Sequence, residues 1–254
     1  MLVTTLDFDW YCERISTAAG ALGREPVTDP GLGVSSCPGW SAADLIQHTG
    51  MVHRWAERII RTRATERLDQ GSVDATLPGD VTGYGDWLTD GADAFTRTMR
   101  TAGADAACWA WGADQHVRWW ARRGTHETIL HYADLALALG RQPDLDPGES
   151  ADGIDEFLAN LPYARRPKVT MAELPAGGET LHLHATDFDG EWMIRLAPGG
   201  MTWERGHGKG DVAVRGDVAD LLLFSYGRYS CDDPRLEIFG HRDLLASWQA
   251  KTAL

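Results

Sequence analysis

Glu127 and His131 lie four residues apart in the segment THETILHYAD, whose pattern predicts a helix. Successive helical residues turn by about 100°, so these two side chains differ by only about 40° and project from one face. A carboxylate and an imidazole placed this way can share a divalent ion. His126 precedes His131 by five residues and lies about 140° away, so the segment is not the HExxH motif of metalloproteases.

A third ligand has to come from another helix, and His48 in SAADLIQHTG is the candidate. Its spacing after Leu45 places it on the inward face of a second predicted helix. Histidine and carboxylate ligands without thiolates are typical of Zn²⁺ and other divalent first-row ions, and three protein ligands leave a position open for water or substrate. Helices also carry such pairs by chance, so ordinary core or surface histidines are the alternative.

Four more residues are candidates for the surroundings of this site. We take Arg122 and His53 as candidate catalytic residues, and Trp120 and Arg123 as candidate cofactor-binding residues. The two arginines could anchor a carboxylate or form a solvated basic face. His53 follows His48 by five residues, which favours a structural role, and Trp120 could pack in a core or line an apolar pocket.

Composition limits the possible classes of protein. The 254 residues carry a formal net charge of -13 without a Lys/Arg run, which disfavours nucleic acid as a partner. No segment approaches the roughly 18 apolar residues that span a bilayer, and the first residues lack a signal-peptide pattern, so we expect a cytoplasmic protein that does not enter membranes. The four cysteines show no ligand or disulfide spacing. We expect a monomer or a homodimer.

The first half of the chain reads as helices. Apolar spacing and cap residues predict helices at residues 6–22, at about 41–63, at about 86–101 and at about 114–139, with a Gly- and Pro-containing loop at 68–85. Four helices joined by loops predict an up-down four-helix bundle. We assign this bundle to residues 1–148.

The second half, residues 149–254, predicts a smaller α+β domain. DGIDEFLANLP, residues 217–227 and HRDLLASWQAK have helical patterns. Five segments alternate apolar and polar residues, and we expect them to form an antiparallel sheet. They are ETLHLHATD, EWMIRLAPGG, MTWERG, DVAVRGD and LEIF. His182 and His184 share a face of the first strand, with His207 further along. Without a carboxylate or thiol nearby in the sequence, we expect a solvent-facing pair rather than a metal site.

Three segments carry a resemblance: CPGWSAADLIQHTGMVHRWAE, WWARRGTHETILHYADLALALG, and GDVAVRGDVADLLLF with LEIFGHRDLLASW. Together they resemble the mycothiol-dependent maleylpyruvate isomerase family, whose N-terminal domain is a DinB-like metal-binding bundle. The resemblance implies a metal site that maps onto His48, Glu127 and His131. The family typically has Arg where this chain has Tyr132, and Ala-His-Leu where it has Gln47-His48-Thr49; we expect these changes to line the cleft and to alter the substrate.

The resemblance implies a metal-dependent enzyme, with Zn²⁺ as the expected ion, that uses mycothiol to isomerise or conjugate a small electrophilic substrate. A divalent ion lowers the pKa of a bound thiol until the nucleophilic thiolate dominates. Two alternatives stay open. One is a metal-dependent lyase or hydrolase that uses no thiol. The other is a hydrophobic-ligand binding protein, because the second domain also resembles sterol-carrier-like folds.

Overall fold

The computed structural model describes residues 6–164, 173–175 and 177–252. The chain forms two compact units, with the division between Asp144 and Leu145. The first unit is helical and the second contains the sheet, so the fold is α+β.

The first unit contains four long helices: α1 (Phe8–Gly23), α2 (Ala42–Arg61), α3 (Tyr84–Ala102) and α4 (Val117–Ala138). All four predicted helices are confirmed, and short 3₁₀ turns at Gln70–Ser72 and Val81–Gly83 interrupt the predicted loop. α4 begins three residues later than predicted. His116, which precedes it, is extended and forms a bridge with Ala107.

The helices pack in the ring order α1, α3, α2, α4, which differs from sequence order. α1 and α2 are therefore diagonal, as are α3 and α4, while α2 lies directly beside α4. Close approach at the centre depends on Gly124 of α4, where a Cβ atom would lie 2.7 Å from Phe95 of α3 and 3.1 Å from Ile15 of α1. This packing buries most of α4, including the polar residues Arg123, His126, Glu127 and His131.

The second unit begins with α5 (Pro147–Asn160) and ends with α7 (Arg242–Thr252). Between them lie strands β1 (Thr180–Ala185), β2 (Glu191–Ala197), β3 (Gly200–Arg205), β4 (Val212–Gly216) and β5 (Glu237–Gly240), with α6 (Val218–Ser225) between the last two strands. The strand order is β3-β2-β1-β4-β5.

The sheet is mixed, which corrects the prediction of a wholly antiparallel sheet. Three neighbouring pairs are antiparallel, but β1 and β4 are parallel, with Leu181 opposite Val212. The cause is topological: β3 lies at one edge, and residues 206–211 carry the chain back across β2 and β1 before β4 begins. This segment brings the chain back to the end of the sheet at which β1 begins, so β4 runs parallel to β1.

The two faces of the sheet differ in character. Leu181 and Leu183 of β1 and Trp192 and Ile194 of β2 are fully buried on one face. The Trp192 indole donates a hydrogen bond of 2.7 Å to Asp155 of α5, which ties this face to the helical layer. The other face, called the outer face below, carries the alternate residues of the same strands.

Among the described residues, no helix combines the length and the apolar character needed to cross a bilayer.

Candidate metal centre

His48, Glu127 and His131 come together where α2 packs beside α4. His48 Nε2 lies 2.9 Å from Glu127 Oε1, and His131 Nε2 lies 3.3 Å from the same oxygen. One donor atom from each residue fits within a group in which all separations are at most 4.8 Å. Two imidazole nitrogens and a carboxylate oxygen are thus aimed at one point.

α2 and the segment before it position His48. Ser41 and Asp44 form a capping box, in which the Ser41 N–H donates to the Asp44 carboxylate over 2.9 Å and the Asp44 N–H donates to Ser41 Oγ over 3.2 Å. Trp40, directly before the cap, covers both histidines: its ring centroid lies 4.7 Å from that of His48 and 5.9 Å from that of His131. The PGW segment therefore supplies one wall of the site.

Charge is balanced inside the cluster by Arg123, one helical turn before Glu127. Its guanidinium donates to Glu127 Oε2, and both side chains are at least nine-tenths buried. Burial alone would raise the pKa of Glu127, but Arg123 and hydrogen bonds with His131 and His48 hold that pKa well below its usual range. Glu127 is therefore an ionised carboxylate in a buried position, which is the form that binds a cation.

Asp134 fixes the orientation of His131. Its Oδ2 accepts a hydrogen bond of 2.9 Å from His131 Nδ1, and the Cys37 thiol donates to the same oxygen over 3.4 Å. Burial alone would lower the pKa of His131, but hydrogen bonds with Asp134, Cys37 and Glu127 raise it well above its usual value. With Nδ1 held as the donor, Nε2 faces Glu127, an arrangement typical of histidine ligands and their outer carboxylates.

The sequence interpretation did not single out Asp134, although Asp134 follows His131 by three residues and so lies on the same face of a helix. Cys37 was noted only as lying close to the PGW motif, where it could face a cleft. Its contact with Asp134 could not be predicted, because the position of Cys37 depends on the path of residues 24–41 over the bundle. Cys37, His131 and Asp134 also group closely enough to hold an ion, although His131 Nδ1 is hydrogen-bonded to Asp134 in this structure.

Two candidate site residues, His53 and Trp120, are buried in the core of the bundle. His53 has no exposed surface; its Nε2 lies 2.8 Å from Thr128 Oγ1 and its ring stacks on Phe95. Burial lowers the pKa of His53 to about 3, so it is neutral. Trp120 is 2% exposed and donates to the Trp109 carbonyl over 2.7 Å. Their burial favours structural roles, while the catalytic role of His53 and the cofactor contact of Trp120 stay predictions.

The two candidate arginines, Arg122 and Arg123, lie on different faces of α4. Arg123 lies on the face of Glu127 and contacts it, whereas Arg122 lies five residues before Glu127, about 140° around the helix. Arg122 is partly exposed and shares the helix face of His126. Helix geometry thus assigns the contact with the cluster to Arg123.

Two of the departures from the family pattern point away from the cluster, contrary to expectation. The Gln47 amide donates to the Ala75 carbonyl over 3.1 Å, and the Thr49 hydroxyl donates to the Leu45 carbonyl of its own helix over 2.9 Å. On a helix, Gln47 and Thr49 each lie about 100° from His48, so their side chains do not share the face of His48.

The histidines of the sheet are also placed differently from the prediction. His182 is buried, not solvent-facing, and Glu191 supplies the carboxylate that was expected to be missing. Glu191 lies directly across from His184 in the β1–β2 pair, a neighbour that only the strand register reveals.

Comparisons with known proteins agree for both halves of the chain. The model of the mycothiol maleylpyruvate isomerase N-terminal domain matches residues 12–136, and the C-terminal domain model of the same family matches residues 150–247. The crystal structure of the mycothiol-dependent maleylpyruvate isomerase has a TM-score of 0.62 at 15% identity, over 94% of this chain and 95% of that chain. The structure of its histidine-to-alanine mutant has a TM-score of 0.61 at 14% identity, over 91% and 93%. A comparison with curated proteins gives no match.

Proposed function

Because the chain belongs to the mycothiol-dependent maleylpyruvate isomerase family, a family of enzymes, we propose that it is a metal-dependent enzyme that uses the thiol mycothiol on a small electrophilic substrate. The observation that carries this proposal is the convergence of His48, Glu127 and His131 on one point between α2 and α4. We assign the metal site to the domain of residues 1–148 and expect the enzyme to work in the cytoplasm as a monomer or a homodimer.

The residues fit a divalent ion in three respects. Two imidazoles and one carboxylate are a donor set that suits Zn²⁺ and related first-row ions. His131 is oriented by Asp134, as outer partners of metal ligands typically do. His48 keeps about a quarter of its side chain exposed, while Glu127 and His131 are buried, so the cluster is accessible from one side. When bound, the ion would supply the positive charge that keeps a coordinated thiol ionised at neutral pH.

The protein's own side chains prepare this chemistry. Arg123 keeps Glu127 ionised, and Trp40 shields His48 and His131 with an apolar ring. A shielded site lowers the local dielectric constant, which strengthens the attraction between a cation and a thiolate. Arg123 and Trp40 therefore hold charge at the site and shield part of it from solvent.

Isomerisation of an activated alkene is the reaction that the family favours. It requires a thiolate to add to one alkene carbon, rotation about the former double bond, and departure of the same thiolate, so no proton or electron is consumed overall. Conjugation would begin with the same addition and retain the C–S bond, with a proton taken up at the neighbouring carbon. Both reactions need the same site.

The test compares metal content and activity in the full chain, purified without a histidine tag or chelator. We expect wild-type protein to contain a divalent metal and to isomerise maleylpyruvate only when mycothiol is added. His48→Ala should lose the metal of the bundle and the activity, whereas His241→Ala, which changes an exposed histidine outside the cluster, should keep both.

Three results would redirect the proposal. Unchanged metal content and activity in His48→Ala would refute the metal site. Turnover without thiol would favour a lyase or hydrolase. Metal-independent binding of an apolar probe, with no turnover under any condition, would favour the hydrophobic-ligand binding protein.

A further inference from the structure

We propose that the outer face of the sheet holds a second divalent-metal site, formed by His182, His184, Glu191 and His207. The four residues offer one donor atom each within a group whose separations are at most 4.8 Å. This site belongs to the second unit and does not depend on the function proposed for the bundle.

The geometry centres on one oxygen, Glu191 Oε2. His182 Nε2 lies 2.7 Å from it, His207 Nδ1 2.8 Å and His184 Nδ1 3.1 Å. A carboxylate oxygen has about two lone-pair positions, so three N–H donors exceed what one oxygen accepts well. A cation among the four residues resolves this crowding, because each nitrogen then offers a lone pair to the ion and Glu191 does the same.

Strand register brings three of the ligands together. His182 and His184 are two residues apart on β1 and project to the same face. Glu191 of β2 is directly opposite His184 in the antiparallel pair, where side chains are close neighbours. The short connection between β1 and β2 fixes this register, so the three side chains are positioned before any ion is considered.

The crossover of residues 206–211 delivers the fourth ligand. The Gly206 N–H donates to the Glu191 carbonyl over 3.0 Å, which places His207 beside the carboxylate. Further along, a Cβ atom at Gly210 would lie 3.2 Å from His182 Cβ, and one at Gly208 would lie 2.9 Å from the Met193 sulfur. These glycines let the segment lie tightly on the outer face, and they explain why His182 is only 6% exposed.

The cluster combines one carboxylate with three imidazoles. Histidine binds a metal through its neutral imidazole, and a ligating carboxylate is ionised. In these forms the four residues would contribute a single negative charge to a divalent ion.

The ligand number indicates the role of this site. Four protein ligands close a tetrahedral shell, as in structural zinc sites, and leave no position for a substrate. Nitrogen and oxygen ligands without thiolate suit Zn²⁺, Co²⁺, Ni²⁺ or Cu²⁺. We infer that the ion fastens residues 206–211 to β1 and β2 and stabilises the sheet without taking part in the reaction.

Equilibrium dialysis of the full, tag-free chain against Zn²⁺ or Co²⁺ measures the site directly. Two variants remove a ligand: His207→Ala, at a side chain that is 79% exposed and therefore safe for folding, and His184→Ala, at a partly exposed one. His241→Ala is the matched control. We expect each ligand variant to bind one ion fewer per chain than wild type and His241→Ala, and to lose the visible absorption of one tetrahedral Co²⁺.

Combining these variants with His48→Ala separates the two sites. We expect His48→Ala to retain the ion of the sheet, and the double variant His48→Ala/His207→Ala to bind neither. Zn²⁺ should raise the melting temperature of His48→Ala but not that of the double variant. Equal stoichiometry and Co²⁺ spectra in wild type, His184→Ala and His207→Ala would overturn the proposal, whatever the outcome for the bundle.

Discussion

The bundle cluster of His48, Glu127 and His131 and the sheet cluster around Glu191 use the same ligand types in different surroundings. In the bundle, three residues meet between two helices, and an arginine and an aspartate support them from within the core. In the sheet, four residues meet on an outer face, and a crossover segment covers them.

The two clusters differ in whether their ligands leave a coordination position open. The three ligands of the bundle, of which His48 is partly exposed, leave room for a substrate atom, whereas four ligands fill a tetrahedral shell. Supporting charges also differ: Glu127 is neutralised by a buried guanidinium, while Glu191 is surrounded only by imidazoles among its described ion-pair partners. We therefore expect the bundle cluster to take part in the reaction and the sheet cluster to stabilise the fold.

The largest expected contrast lies between the two glutamates in protein stripped of metal. Glu127→Leu removes the carboxylate that balances buried Arg123, so we expect the free energy of unfolding to fall by on the order of 3 kcal/mol. Glu191→Leu should cost less than about 1 kcal/mol, because its side chain is partly solvated and exposed ion pairs contribute little. Urea unfolding with chelator present measures both. The double variant Arg123→Leu/Glu127→Leu should regain most of the loss, and equal costs at the two sites would contradict the comparison.

Asp134→Asn tests the support behind the bundle ligand. An amide still occupies the same space but holds His131 Nδ1 less strongly, so we expect metal affinity of the bundle to fall about 10- to 100-fold. Competition with a chromophoric chelator reports the affinity. Metal bound by the sheet should be unaffected; a loss shared by both sites would mean that the variant disturbs the whole fold.

The pH dependence of stability should reflect His53 in the bundle core. Its pKa is lowered from 6.5 to about 3, so below pH 6.5 the unfolded chain takes up a proton that the folded chain does not. This contribution is absent above pH 6.5 and destabilises the fold by up to about 1.4 kcal/mol for each pH unit below it. We expect His53→Gln to show a shallower decline in unfolding free energy between pH 6.5 and 5 than wild type. Parallel pH profiles would show that His53 is protonated in the folded protein.

The smallest expected effect concerns the cap that starts α2. Ser41→Ala removes the side chain that accepts from the Asp44 N–H, and such caps contribute about 1 kcal/mol. The bundle should melt slightly earlier and bind its metal slightly less well, since Trp40 and His48 flank the cap. Thr186→Ala, which removes a hydroxyl bond to Asp217 in the sheet unit, is a control that should leave the metal affinity of the bundle unchanged.

Helical periodicity was enough to predict the features that involve only one helix. The Glu127–His131 pair and the exclusion of His126 from its face follow from spacing, and all four bundle helices occur where caps and apolar patterns indicated. The inclusion of His48 needed the family resemblance, because no local pattern states that α2 lies beside α4. The assignment of residues 1–148 to the bundle domain stays a prediction.

Contacts between strands were harder to predict than contacts within helices. His182 and His184 were recognised as a pair, but Glu191 and His207 join them through strand register and a crossover. The same crossover makes β4 parallel to β1, which alternating residues alone do not reveal. The burial of His53 and Trp120 was hard to predict for a related reason, because it depends on the neighbouring helices.

The crossover of residues 206–211 also has a consequence for the order of folding. β1, β2 and β3 pair with sequence neighbours, so they can form as a meander soon after they meet, whereas β4 must return over about 30 residues to pair with β1. His207 lies near the start of this crossover and contacts Glu191, and Gly210 lies near its end and packs against His182. We therefore expect the histidine cluster to be completed late in folding. An ion bound there would stabilise the sheet only after β4 has paired with β1.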